Sequence, residues 1–101
     1  MIKVKVESKD KKHIDTVTLS GHAMYDEYGK DIVCSSVSSI VTTTVNGIIE
    51  IDKDYLTIEE IKDGMIITIL KKDKICDKLI KNMLDLLSEL EISYPENIKV
   101  K

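Results

Sequence analysis

Eighteen consecutive residues, Ile32 to Ile49, carry no charge in a chain that is 33% Asp, Glu and Lys. Within this run Val33, Val37, Ile40, Val41, Val45 and Ile48 recur at three- and four-residue spacings, which is the apolar stripe of a helix. Val, Ile and Thr favour strands locally. A run near twenty residues nevertheless exceeds the usual strand of about 5–6 residues. We therefore assign a helix from Asp31 to about Ile51, with Asp31 as its N-cap. Its other face carries Ser35, Ser36, Ser38, Ser39, Thr42, Thr43 and Thr44 where Lys and Glu are usual. Such a face is either solvated or lies under another subunit or a sheet. Its many hydroxyls argue against a membrane span, which needs about 20 predominantly apolar residues.

Strands are expected around this helix. Ile2, Val4 and Val6 alternate with Lys3, Lys5 and Glu7, the period of a sheet with one wet face. His13 to Ser20 is rich in β-branched residues and follows a charged turn at Lys9–Lys12, so a hairpin is expected. Gly21 to Lys30 has no usable period and a glycine near each end; we read it as an exposed loop. Tyr55–Ile61 and Met65–Leu70 form a second hairpin through Asp63-Gly64. Met65–Leu70 is apolar on both parities, as in a strand covered on both faces. Lys74–Glu91 is an amphipathic helix with Ile75, Leu79, Ile80, Met83, Leu86, Leu87 and Leu90 on one side, stopped at Tyr94-Pro95. Ile98 and Val100 end the pattern as a short strand. The order β-β-α-β-β-α-β implies an α+β fold, two helices packed on one mostly antiparallel sheet.

Composition removes several classes of function. The 101 residues suit a single domain, residues 1–101. All fifteen basic residues are lysines, Phe and Trp are absent, and the formal charge is -3. Without guanidinium forks, and with four tyrosines as the only aromatic rings, the chain is poorly equipped to bind nucleic acid directly. Met1 to Lys12 lacks the apolar core and cleavage site of a secretion signal, so a cytoplasmic protein with two reduced thiols, Cys34 and Cys76, is expected. No CxxC, HExxH or zinc-type spacing is present, and neither a metal nor a cofactor is called for.

One constellation looks chemical. His22 lies in the glycine-flanked loop and Cys34 in the first turn of the following helix, where unpaired amides and a partial positive charge gather. A thiol in that field beside an imidazolium forms a thiolate readily. His22 can protonate a leaving amine, and the helix amides can hold an oxyanion. Each part has a structural alternative: Cys34 as core filler, His22 as a solvated loop residue, Asp31 as a cap alone. On a helix Asp31, Cys34 and Ser38 share one face. Asp31 could also orient His22, and Ser38 could bond near the thiol. Cys76 begins a helix without a nearby histidine and is assigned to the core, while His13 is assigned to the surface.

Ser20-Gly21-His22-Ala23, Tyr28-Gly29, Asp31-Ile32-Val33-Cys34 and Val37-Ser38 resemble the ribosomal-processing cysteine protease family, Prp. One departure is visible: Ser35 and Ser36 stand where alanines are expected. The resemblance implies a cysteine endopeptidase that removes an N-terminal extension from a large-subunit ribosomal protein, number twenty-seven. It maps the catalytic histidine onto His22 and the nucleophile onto Cys34, with Asp31 and Ser38 at supporting positions. It further implies a homodimer and a mobile substrate loop over the site containing Gly21, Ala23 and Gly29. Two other functions fit the same residues: a non-catalytic ribosome-associated binding module, and a redox sensor using Cys34 alone.

Overall fold

A computed structural model of the chain describes residues 1–27 and 30–101. Its elements are β1 (Ile2–Glu7), β2 (Thr16–Ser20), α1 (Ile32–Ile51), β3 (Leu56–Ile61), β4 (Gly64–Ile69), α2 (Lys74–Ser93) and β5 (Ile98–Val100). The strands form one five-stranded sheet in the order β3-β4-β2-β1-β5. Three neighbouring pairs are antiparallel; only β1 and β5 run parallel.

The registers put the apolar residues on one face. Val4 opposes Leu19 and Val100, Val17 opposes Val6 and Ile67, and Ile67 opposes Ile58. Because side chains alternate across a strand, a slip of one residue would turn the whole set to water. Both helices cover this face. Val33, Val37, Val41, Val45 and Ile48 of α1 and Cys76, Ile80, Met83 and Leu87 of α2 are buried against it. Fully buried side chains such as Ile67 and Ile80 each contribute about 1.5–3 kcal/mol of apolar burial. The opposite face stays wet, with Lys3, Lys5 and Glu7 exposed.

That wet face corrects one expectation. β4 is not covered on both sides: only Ile67 is buried, and its neighbours Ile66 and Thr68 are half-exposed on the open face. The second strand also begins later than expected, at Thr16 rather than His13. Asp10 accepts from the amides of Lys12 and His13, and Asp15 accepts from the amide of Lys9. These side-chain acceptors compete with the ladder and keep residues 8–15 in a loop. His13 is therefore a half-exposed loop residue.

The long uncharged helix is present, capped as its sequence indicates by Asp31. By length and hydropathy, 1.6 on average, α1 matches a membrane span. The buried valine stripe accounts for that apolarity within the domain core. Its Ser and Thr face is solvent-facing in the single chain: Ser35, Ser38, Ser39, Thr42 and Thr43 are exposed.

Gly64 is the first residue of β4 and pairs with Ser20, leaving Lys62 and Asp63 as the turn. A Cβ at position 64 would sit 1.9 Å from the carbonyl oxygen of Leu19. The glycine is thus required by close approach of the neighbouring strand, and the turn's left-handed residue is Asp63, at φ 59°.

Candidate active site

A cavity of about 830 Å3 opens where the end of β2, the β3–β4 turn and the first turns of α1 meet. His22, Met24, Cys34, Ser38, Asp63 and Gly64 are among its lining residues. The sheet brings the turn here: pairing of Ser20 with Gly64 puts residues 21 and 63 side by side, and the Gly21 N–H donates to the Asp63 carbonyl at 2.9 Å. Gly21 has φ 89°, and a Cβ there would lie 2.3 Å from the Met1 carbonyl oxygen. Both constraints exclude a side chain and set the direction in which the chain leaves β2 toward His22.

Cys34 sits in the first turn of α1, half-buried, with a free thiol. Its Sγ accepts the N–H of Ala23 at 3.3 Å. A donor aimed at sulfur serves a thiolate better than a thiol. Ala23 is itself fully buried, and its carbonyl accepts from Asn97 Nδ2 at 2.9 Å. One loop residue therefore links the thiol to the segment that leads into β5. Ala23 stands in the motif quoted above as a substrate-loop residue, not as a strut to the sulfur, and Asn97 is marked by no motif.

Asp31 is the only buried polar residue among those described, 8% exposed, and it is saturated by amides. Oδ1 accepts from Val33 and Cys34 at 3.0 Å each; Oδ2 accepts from Tyr25 at 2.9 Å and Asp26 at 3.3 Å. Burial opposes ionisation, but the four N–H donors together outweigh it and hold the carboxyl below its ordinary range. Asp31 thus ties the loop to the helix end.

Two expectations change as a result. Asp31 spends its oxygens on backbone and does not orient His22. The amides of Val33 and Cys34 are occupied by its carboxylate, and that of Ser35 by the Asp31 carbonyl, so these three are committed rather than open to an oxyanion.

His22 is turned to another carboxylate. Its Nε2 lies 3.4 Å from Oδ1 of Asp63, with both side chains more than half exposed. No hydrogen bond joins His22 to Cys34 among the described residues, though both line one cavity. Asp63 was hidden in the sequence because its local signal is that of a hairpin turn. Only the pairing of β2 with β4 brings it to His22. Ser38 lines the cavity one turn beyond Cys34 and is exposed. Gly29, with Tyr28, lies outside the described residues. Met24 adopts a left-handed φ of 57° beside the site and is 77% exposed.

Cys76 occupies the equivalent position at the start of α2 and is fully buried. Burial, then Asp73, pushes its thiol up, as expected of a core cysteine. Among the described residues no group of three or more His, Cys, Asp or Glu is placed to hold a metal ion.

Comparison with known proteins places the whole chain in a family. Residues 1–99 match the family model for cysteine protease Prp. The ribosomal processing cysteine protease Prp of Staphylococcus aureus is 32% identical, over 99% of this chain and 97% of its own length. A crystal structure of the S. aureus protease with a covalently linked product peptide superposes with a TM-score of 0.94 at 29% identity, covering 100% of this chain and 98% of that one. A second S. aureus structure, with a substrate peptide, gives 0.87 at 28% identity over the same shares of the two chains. A Streptococcus mutans protein of known structure gives 0.77 at 28% identity, covering 100% of this chain and 92% of that one. With the fold, the cysteine at the helix start and the whole-chain match in agreement, the chain belongs to the Prp family of cysteine proteases.

Proposed function

We propose that this protease removes an N-terminal extension from ribosomal large-subunit protein number twenty-seven, using Cys34 as nucleophile and His22 as general acid and base. The observation that carries the proposal is the placement of Cys34, with the Ala23 N–H on its sulfur, in the wall of a cavity that His22 also lines. The S. aureus relatives, a ribosomal processing protease captured with substrate and product peptides, support the same class of substrate.

The chemistry follows from these groups. His22 takes the thiol proton, and the Cys34 thiolate attacks the scissile carbonyl to form a C–S bond and a tetrahedral oxyanion. The C–N bond breaks as the imidazolium delivers that proton to the departing amine. A water then adds to the thioester with its proton passing to His22. Collapse expels the thiolate and releases the new carboxylate. Ile2, Leu19 and Val37 give the cavity an apolar wall for the residue preceding the cut.

The enzyme works in the cytoplasm as a homodimer in this proposal. Support for the second copy comes from the uncharged outer face of α1, where half-exposed Ile32 and the exposed serines leave room for close approach. The deciding experiment is cleavage of a synthetic peptide spanning the extension by wild type and Cys34→Ala, read by mass spectrometry. A single cut by wild type alone is expected. No cut by a folded wild type would favour a binding module; a cut by both proteins would remove Cys34 from its role.

A further inference from the structure

We infer that Asp63, in the β3–β4 turn, is a positioning residue for His22, holding the imidazole through Nε2 and leaving Nδ1 to exchange the proton with Cys34 and the leaving amine. The inference rests on the Cys34/His22 mechanism proposed above.

Three observations carry it. First, Asp63 Oδ1 lies 3.4 Å from His22 Nε2, and the residues come from segments 41 positions apart in the chain. Second, the backbones of the two segments are joined. The Gly21 N–H donates to the Asp63 carbonyl at 2.9 Å, so the residue before His22 and the residue bearing the carboxylate are fixed to each other. Third, the other carboxylates lining the cavity are engaged with backbone: both oxygens of Asp31 accept amides, and Asp26 Oδ1 accepts the Glu27 N–H at 2.7 Å.

The turn itself does not call for a carboxylate. Position 63 adopts φ 59°, which glycine meets at least cost and asparagine meets about as readily as aspartate. What aspartate adds at that position is an acceptor with a negative charge facing the imidazole. A carboxylate accepting from Nε2–H fixes the tautomer that carries its lone pair on Nδ1. When His22 has taken the thiol proton, the attraction becomes one between full charges. The contact is therefore stronger during the reaction than before it, which is the condition for an effect on turnover. A nucleophile, a base and a group orienting the base then come from α1, the β2–α1 loop and the β3–β4 turn.

The test measures peptide cleavage by Asp63→Gly and Asp63→Asn beside wild type and His22→Ala, with a thermal melt of each. Glycine keeps the turn and removes the side chain; asparagine keeps the turn and an acceptor oxygen but not the charge. We expect Asp63→Gly to lower kcat by roughly tenfold with KM within about twofold of wild type, and Asp63→Asn to lower kcat by roughly threefold. If Asp63→Gly melts early, Asp63→Asn carries the comparison alone. An unchanged kcat in both variants, with His22→Ala inactive, would overturn the role of Asp63 and leave the mechanism standing. A raised KM at unchanged kcat would also overturn it, making Asp63 a substrate contact. Full activity in His22→Ala would instead remove the mechanism on which the inference rests.

Discussion

The two helices begin with nearly the same words, Asp31-Ile32-Val33-Cys34 and Asp73-Lys74-Ile75-Cys76, and the local structures match. In each, one carboxylate oxygen accepts from the second and third helical amides, at 3.0 and 3.0 Å in α1 and 3.0 and 2.9 Å in α2. The field of a helix N-terminus is therefore common to both cysteines and cannot be what separates them. The difference lies in what surrounds each cap. The second oxygen of Asp31 collects two loop amides, the loop sends the Ala23 N–H to Cys34 Sγ, and a cavity opens beside it. Cys76 has the core around it and aspartates on either side. What sets Cys34 apart from Cys76 is its loop and not its helix.

The largest effect expected from that contrast is on activity. Cys34→Ala should reduce peptide cleavage by at least about 10³-fold, whereas Cys76→Ala should keep kcat and cost about 1 kcal/mol of stability as a small buried cavity. Cleavage rates and denaturant melts of the two variants check this, and a loss of activity in folded Cys76→Ala would break the comparison. Next in size is chemical reactivity. Iodoacetamide should alkylate Cys34 at least about 100-fold faster than Cys76 at neutral pH, with the difference vanishing in denaturant. Peptide mapping against time reads both sites in one sample.

The cap carboxylates give a smaller, pH-dependent effect. Asp31 is held below its ordinary range by its amide donors against the opposing effect of burial; Asp73 is held low chiefly by the Cys76 N–H. A depressed native pKa contributes stability that is complete above the unfolded value of 3.8 and is lost as pH falls through the native value. Melts between pH 7 and pH 2 should therefore fall in acid, and Asp31→Asn or Asp73→Asn should each flatten that fall. Only Asp31→Asn should also slow cleavage, because only Asp31 holds the loop. Smallest of all is a change that makes α1 imitate α2. Ser35 stands where α2 has Asp77, an acidic residue in the first turn. Ser35→Asp should slow alkylation of Cys34 by roughly threefold through charge repulsion at the sulfur. No change in rate would mean that the loop donor dominates the charge.

Much of this was legible in the sequence, and the boundary of legibility has a physical cause. Period-3.6 patterns marked both helices and a period-2 pattern β1, while β-branched content and the Asp63-Gly64 signal marked the strands between them, and Asp31 announced the start of α1 because capping is local chemistry. The pair His22 and Cys34 could be singled out from their separation and from the motif they share with a family. What stayed hidden depends on strands meeting across the sheet. Asp63 carries turn chemistry in its own neighbourhood and reaches His22 only because β4 lies next to β2. Asn97 is a polar residue before a short strand until β5 pairs with β1. The late start of β2 was missed for the opposite reason, since Asp10 and Asp15 capture amides that β-branched neighbours would otherwise have sent into the ladder.

The bond from Asn97 to Ala23 spans 74 residues and has a consequence for when the loop is fixed. A nascent chain acquires Cys34 and His22 early, with more than half of the sequence still to be made. At that stage the loop amide that meets the sulfur has no anchor behind it, because β5 and the asparagine before it do not yet exist. Contacts of such long separation also form late in folding, after the local helices and hairpins. The loop is thereby anchored only once residue 97 is in place, so a chain truncated before it carries Cys34 and His22 without the bond that holds Ala23 against the sulfur.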